Sequence, residues 1–211
     1  MGRVNTARRY DARSRREQAQ RTQEAILAAA REQFIESGYA ATTVARIARQ
    51  VGCSAETVYK AFGGKAGVVR ALWQSALDGR GPVSAVQRSD ELSSSESDPV
   101  RVLRGWGGFV TEVAPIVAPI MLLVRAAATS DAEMAQLLQD AEDERRERMG
   151  VNARRLGERG WLRDGVTVAH AADVLWTYSS SELYELLVVK SGWPIHRYGD
   201  FVGDALIAAL L

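Results

Sequence analysis

Apolar side chains in the first third of the chain come in four short bursts, each at helical spacing. Thr22 to Ser37 sets Leu27, Ala30 and Phe34 on one face and stops at Gly38. Thr43 to Val51 sets Val44, Ile47, Ala48 and Val51 at i, i+3, i+4 and i+7, and ends at Gly52. Ser54 to Phe62 repeats that spacing with Ala55, Val58, Tyr59 and Phe62, and Lys65 to Leu77 turns Val68, Val69, Leu72, Trp73 and Ala76 inward. The stretch Asp78 to Asp98 holds Gly79, Gly81, Pro82 and Ser93-Ser94-Ser95-Glu96-Ser97, which predicts a mobile loop over about 79–97. Asp98-Pro99 then caps a helix whose pattern Pro115 and Pro119 break or restart, and an apolar run continues to about Thr129. Asp131 to about Arg159 predicts a long charged helix, with Glu142/Arg146 and Glu144/Arg148 as i, i+4 pairs. Thr167 to Lys190 predicts another, stopped by Gly192-Trp193-Pro194, and a last helix runs from about Ile195 to the C-terminus. Alternating β patterns and internal repeats are absent, so the predicted fold class is all-α.

The second and third helices have about two turns each, too few to persist alone, so they must pack on one another and on the first. Their connection, Val51-Gly52-Cys53-Ser54, supplies a residue suited to positive φ, a small inward plug and a helix cap. This is helix-turn-helix spacing, in which the second helix enters a major groove by its N-terminus. With Ala55, Val58, Tyr59 and Phe62 engaged at least partly in packing, Glu56, Thr57, Lys60 and Ala61 remain to meet DNA. Glu56 can accept from a cytosine amino group, and Thr57 can touch a thymine methyl or a phosphate. Tyr59 can turn its hydroxyl toward the backbone. Thr43 and Lys65 open helices, where free N–H groups favour phosphate.

Charge sharpens this picture. The net charge of +1 conceals 13 Lys/Arg against 6 Asp/Glu through Arg70, and 14 against 20 from Ala71 onward. A basic front on an acidic rear points to a polyanion-binding module. Residues 1–20 read as a flexible arm whose Arg8, Arg9, Arg13, Arg15 and Arg16 track phosphates or enter a minor groove. The expected organisation is an arm over 1–20, a helix-turn-helix domain over 21–66, and a helical ligand-binding and dimerisation body over 67–211.

Composition excludes several classes. The lone Cys53 forms no internal disulfide, and with His170 and His196 it cannot build a zinc site, so neither metal nor cofactor is expected. The apolar stretch from Pro115 through Ala128 reads as too short for a membrane span and contains Arg125. Arg8-Arg9 precedes no apolar export segment, which points to the cytoplasm. Paired carboxylates and a nucleophile–base pattern are lacking, so no enzyme is expected, and a small helical enzyme is the remotest reading. A constitutive or architectural DNA binder without an effector is the nearer alternative.

In the body, Gly105-Trp106-Gly107-Gly108-Phe109 follows no strand and misses the dinucleotide spacing, and Gly63-Gly64-Lys65 lacks the rest of a phosphate loop. Three glycines in a helix leave room for either a close helix contact or a ligand beside Trp106 and Phe109. With Met121, Arg125 and Trp176 these residues form the candidate pocket for a mostly apolar, aromatic or acyl-bearing molecule. Arg125 is either paired with a carboxylate or facing an acidic ligand group. Trp176 and Tyr178 fall on different helix faces, so at most one reaches the pocket, and His170 reads as a surface residue.

The segment Ile26 to Leu77, ILAAAREQFIESGYAATTVARIARQVGCSAETVYKAFGGKAGVVRALWQSAL, strongly resembles the DNA-binding domain of the TetR family of bacterial repressors. The resemblance rests on Phe34 with Gly38-Tyr39, Thr42-Thr43, Ile47-Ala48, Gly52-Cys53-Ser54, Tyr59-x-x-Phe62 and Lys65, and covers about a quarter of the chain. It implies a homodimer that represses a nearby operon from a palindromic operator and is released by a small molecule. It further implies that Thr43, Tyr59 and Lys65 contact phosphates, while the third helix reads bases from its start, Ser54, Ala55, Glu56 and Thr57, on to Lys60. Ala66 departs from the acidic residue many members carry there. The last fifty residues, from Gly160-Trp161-Leu162-Arg163 to Gly192-Trp193-Pro194-Ile195-His196-Arg197-Tyr198, resemble one branch of that family. This implies a four-helix dimer interface through Leu175, Leu183, Leu186 and Leu187 on one helix and Phe201, Val202, Ala205, Leu206 and Ala209 on the other.

Overall fold

Every regular element is helical among the residues that the computed structural model describes, 4–78 and 83–211, the side chains of 4–13 and 78 excepted. The chain divides into two compact units, Met1–Leu72 and Trp73–Leu211, with the boundary after Leu72 where residue 66 was expected.

The first unit contains α1 (Val4–Ala41), α2 (Val44–Val51), α3 (Ala55–Phe62) and the opening turns of α4 (Lys65–Asp78). The arm expected to be flexible is helical backbone from Val4 onward. Between there and Arg21 the chain holds no Gly or Pro and is rich in Ala, Arg, Gln and Glu, all strong helix formers. The helix bends at Gly38, whose φ of 75° lies in the left-handed region. Thr43 caps α2, its Oγ1 accepting from the Arg46 N–H at 3.2 Å. Gly52 closes the helix at φ 75°, ψ 28°, a conformation that any Cβ would strain. Two residues later Ser54 caps α3, its Oγ accepting from the Thr57 N–H at 3.1 Å. Ile26, Ala30, Phe34, Val44, Ile47, Ala48 and Val58 are buried, and Phe34 stacks on Tyr39 with ring centroids 6.0 Å apart.

The second unit holds the end of α4, then α5 (Ala85–Ser95), α6 (Pro99–Ala128), α7 (Ala132–Glu158), α8 (Val168–Tyr178), α9 (Ser181–Tyr184) running into a π-helical segment (Glu185–Lys190), and α10 (Ile195–Leu210). Three expectations are corrected here. Most of the predicted loop is α5, while residues 79–82 lie outside the described set. Ser84 and Gln87 form a reciprocal capping box at its start, and the serine run folds back on the helix, with Ser93 Oγ donating to the Ser89 carbonyl at 2.6 Å and Ser95 Oγ to the Glu91 carbonyl at 2.7 Å. Secondly, α6 passes unbroken through Pro115 and Pro119. At 30 residues, with an 18-residue window of mean hydropathy 1.9, it is long and apolar enough to cross a membrane by length and composition, contrary to the sequence reading. In the fold its Val102, Leu103, Trp106, Ile120, Met121 and Val124 are buried among the helices of this unit. Thirdly, the helix expected over Thr167–Lys190 breaks at Ser179-Ser180, because the Ser180 hydroxyl accepts from the Leu183 N–H and starts a new turn.

The ion pairs of α7 also differ from the i, i+4 expectation. Arg146 reaches Asp173 on α8 at 2.9 Å, and Arg148 reaches Asp90 on α5 at 3.0 Å. Glu142 takes Arg145 at 2.5 Å and Arg125 of α6 at 3.2 Å. Arg145 and Arg148 lie partly buried between helices and meet acceptors there, whereas the Arg146–Asp173 pair is exposed.

The core of this unit is centred where α6 crosses α10, with Val102, Leu103, Trp106, Leu156, Leu175, Tyr198, Val202, Leu206 and Leu210 buried around it. The two helices approach by exposing backbone to backbone. A methyl group on Gly107 would lie 2.5 Å from the Gly199 carbonyl oxygen and 2.9 Å from the Gly203 amide nitrogen. Of the two uses for the glycines of α6, Gly107 serves the close contact.

This contact generates a pair of opposite predictions. Gly107→Ala has no room to relax against backbone and should destabilise the protein by about 1–3 kcal/mol, as overpacked cores do. Gly108→Ala, whose new methyl meets nothing within 4 Å, should stabilise it by about 0.5–1 kcal/mol through backbone entropy. Thermal melts of the two variants against the parent chain measure both signs.

Candidate nucleic-acid interface and ligand cavity

In the first unit, the turn at Gly52 and the two caps determine which side chains α3 can present. Val58 is the only buried residue of this helix, and Ser54, Glu56, Tyr59 and Lys60 are exposed. Ala55, Thr57 and Ala61 are half-buried, and the Thr57 hydroxyl lies 2.9 Å from that of Ser54. Tyr59 is 55% exposed, so the packing role expected for it is small. Its ring lies beside Gly64. Cys53, expected to plug the turn, is half-buried. Exposed Thr43 uses its oxygen as a helix cap, and Arg46 and Arg49 are exposed on α2.

Lys65 is held from two sides. Its Nζ donates to the Tyr39 carbonyl at 3.0 Å and stands 3.9 Å above the Tyr39 ring. That contact joins α4 to the end of α1 and leaves further ammonium protons unassigned. Of the arm residues, Arg15 and Arg16 are exposed, while Arg8, Arg9 and Arg13 lie outside the described side chains.

In the second unit, a cavity of about 360 Å³ opens between α4, α5, α6, α7, α8 and α10. Its wall is mainly apolar: Trp73 and Leu77 of α4, Trp106, Phe109, Val113, Val117 and Met121 of α6, Leu175 and Tyr178 of α8, and Tyr198 and Val202 of α10. The volume falls within the range of small-molecule sites. Trp106 is buried and satisfied, its Nε1 donating to Ser93 Oγ at 3.2 Å. Trp106, Phe109 and Met121 thus line the cavity as expected.

Arg125 and Trp176 do not line it. Arg125 is paired with Glu142 and Glu182, the carboxylate-bound alternative. Trp176 faces the guanidinium groups of Arg145 and Arg146, 4.7 and 5.1 Å from its ring, and the Trp176 carbonyl accepts from Arg145. Its place on the cavity side of α8 is taken by Tyr178, in keeping with the one-face limit read from spacing. His170 is exposed.

Among the cavity residues that sequence reasoning missed are Glu142, Arg145, Arg148, Met149 and Asn152 of α7. A signal for Asn152 existed. It sits four residues before Leu156 and eleven after Ala141, in register with the buried stripe of an otherwise charged helix. Tyr198 is buried among apolar groups, which with nearby Tyr184 pushes its phenol up to about 12, so it stays a neutral hydroxyl.

Of the expected dimer residues, Leu175, Val202 and Leu206 are buried in this unit's own core, a correction to their assignment. They follow the stripe Tyr198, Val202, Leu206, Leu210 that packs against α6, or its counterpart on α8. Leu186 and Phe201 are exposed, at 52% and 37%, and Leu183, Leu187, Ala205 and Ala209 are half-buried. Val189 is also exposed, at 62%.

A helix-turn-helix joined to a wholly helical second unit is the architecture of a DNA-binding transcriptional regulator. Residues 26–72 match the family model described as bacterial regulatory proteins, tetR family. Its members are regulators rather than enzymes. Solved structures of similar fold include NalD, the secondary repressor of the MexAB-OprM multidrug efflux pump in Pseudomonas aeruginosa (TM-score 0.70, 20% identity, covering 92% of this chain and 98% of that one). SmeT in complex with triclosan is also similar (TM-score 0.68, 24% identity, 89% of this chain and 90% of that one). A third is PfmR, a TetR family transcriptional regulator from Thermus thermophilus (TM-score 0.62, 21% identity, 88% and 98%). No curated protein matches the chain.

Asp90 couples the cavity wall to α5, and its titration is testable. Hydrogen bonds from Arg148 foremost, then Arg155, outweigh partial burial and hold its carboxyl below the ordinary value of 3.8. A lowered folded-state value stabilises the fold above 3.8, and that contribution is lost as pH falls through the folded value. Melting temperature should therefore drop more steeply below about pH 4 in the parent chain than in Asp90→Asn, which has no charge there to lose. Parallel slopes for the two proteins would contradict this.

Proposed function

We propose that this protein is a homodimeric transcriptional repressor of the cytoplasm that binds a palindromic double-stranded operator and leaves it when a mostly apolar small molecule fills the cavity of its second unit. The observation that carries this reading is the conjunction of an exposed α3 surface with a cavity walled by the far end of α4. α4 starts at Lys65, beside the helix-turn-helix, and carries Trp73 and Leu77 in the cavity wall. The cavity favours an effector-responsive regulator over a constitutive DNA binder. That SmeT was solved with triclosan and NalD is a repressor supports the same direction.

On this reading Glu56, Thr57 and Lys60, with Ser54 and Ala55 at the start of α3, face base edges, and Thr43, Tyr59, Lys65 and the arginines of the arm face phosphates. Leu186, Val189 and Phe201, apolar and exposed, are the residues of the second unit best suited to meet a second copy. Two recognition helices must then sit one DNA turn apart, roughly 34–36 Å, and a few ångströms of splay would abolish joint docking. A ligand releases DNA only if it binds the splayed state better.

Fluorescence anisotropy with a palindrome from the DNA flanking the gene tests the DNA half. Thr57→Ala and Lys60→Ala should alter base preference, whereas Lys65→Ala should weaken all duplexes alike and reduce the salt slope by about one. The same Lys65→Ala variant should also melt at a lower temperature, because the Tyr39 contact of Lys65 is structural as well. Deleting residues 1–18 should reduce affinity and salt dependence while the fold persists. Binding no tighter than to random DNA at physiological salt would sink the reading. For the effector half, any compound that releases the operator should lose potency in Trp106→Ala and Phe109→Ala.

A further inference from the structure

The mainly apolar cavity wall contains a buried amide oxygen with nothing to bond. Asn152 of α7 is 4% exposed and lines the cavity, and its side-chain Oδ1 has no hydrogen-bond partner. A buried amide oxygen left unpaired is destabilising, and native proteins rarely retain one without a use. Three of the charged residues that share the wall are already engaged, Arg145 with Glu142 and the Trp176 carbonyl, and Arg148 with Asp90, while Glu144 is exposed. Trp106 is likewise satisfied by Ser93. Asn152 is therefore a buried neutral acceptor left unpaired at the wall, beside the hydroxyls of Tyr178 and Tyr198 and otherwise among mainly apolar side chains.

We propose that Asn152 is the polar anchor of the cavity, selecting an apolar effector that carries a hydroxyl or N–H donor and brings it to Oδ1. This rests on the effector reading given above and adds the chemistry of the ligand to it. A donor placed there gains a hydrogen bond that costs the protein no broken partner, whereas an analogue lacking it leaves the amide orphaned on both sides. Discrimination between two ligands of equal shape therefore comes from this one residue. Without ligand, the same orphaned oxygen makes the empty cavity less stable than its apolar equivalent.

The probes are 4-phenylphenol, which has a donor, and 4-methoxybiphenyl, which has the same oxygen without one, titrated calorimetrically into the full chain. The parent protein should bind the phenol about tenfold more tightly, the worth of one neutral hydrogen bond. In Asn152→Leu that ratio should fall to about one, the ether should bind at least as well as before, and the melting temperature should rise. Asn152→Ala, which only removes atoms, should show the same loss of preference and serves if the leucine variant fails to fold. A preference for the phenol that survives in either folded variant overturns the assignment while leaving the effector cavity intact. If the parent chain binds neither probe, the effector reading itself fails, and the anchor with it.

Discussion

The crossing of α6 and α10 constrains the second unit more tightly than any other contact. At Gly107 and Gly199 the two backbones meet with no side chain between them, so neither helix can rotate or slide without collision. Because α6 is pinned on that face, its opposite face is fixed as well, and that face carries Phe109, Val113, Val117 and Met121 into the cavity. The cavity is thus a consequence of helix packing. One side of α6 is packed to backbone contact, and the other is left without enough volume to close.

Charge completes what packing leaves open. The charged part of the cavity wall comes from α7, whose Arg148 and Arg145 are drawn across to Asp90 and the Trp176 carbonyl. Each cross-helix pair is individually modest at partly exposed sites. Together they decide which side chains are occupied and which remain open, and so give the apolar cavity a directional character.

Legibility from sequence followed the range of the forces involved. The helix-turn-helix was readable because its determinants are local: the spacing of Val44, Ile47 and Ala48, the cap at Ser54 and the positive φ of Gly52 all act within a few residues. Trp106, Phe109 and Met121 were identified because size and apolarity mark a wall wherever it is. Arg125 and Trp176 were misassigned because their partners, Glu142, Glu182, Arg145 and Arg146, arrive from distant segments. The serine-rich stretch misled for a different reason: composition suggested a loop, but one capping box and hydroxyl bonds to the preceding turn were enough to hold a helix. Leu175, Val202 and Leu206 show the ambiguity of any apolar stripe, which by itself does not say whether its partner is the same chain or another copy.

The two prolines of α6 have a mechanical consequence. Neither carries an N–H, so the carbonyls of Thr111 and Pro115 receive no bond from four residues ahead, and two rungs are missing in succession. The bending stiffness of the helix is therefore lowest between Gly107, where α10 clamps it, and Ile120, where it is buried again. That compliant length is the one that carries Val113, Ala114 and Val117 along the cavity. The wall is a spring held at both ends, able to bow around occupants of different girth while its anchorages stay fixed.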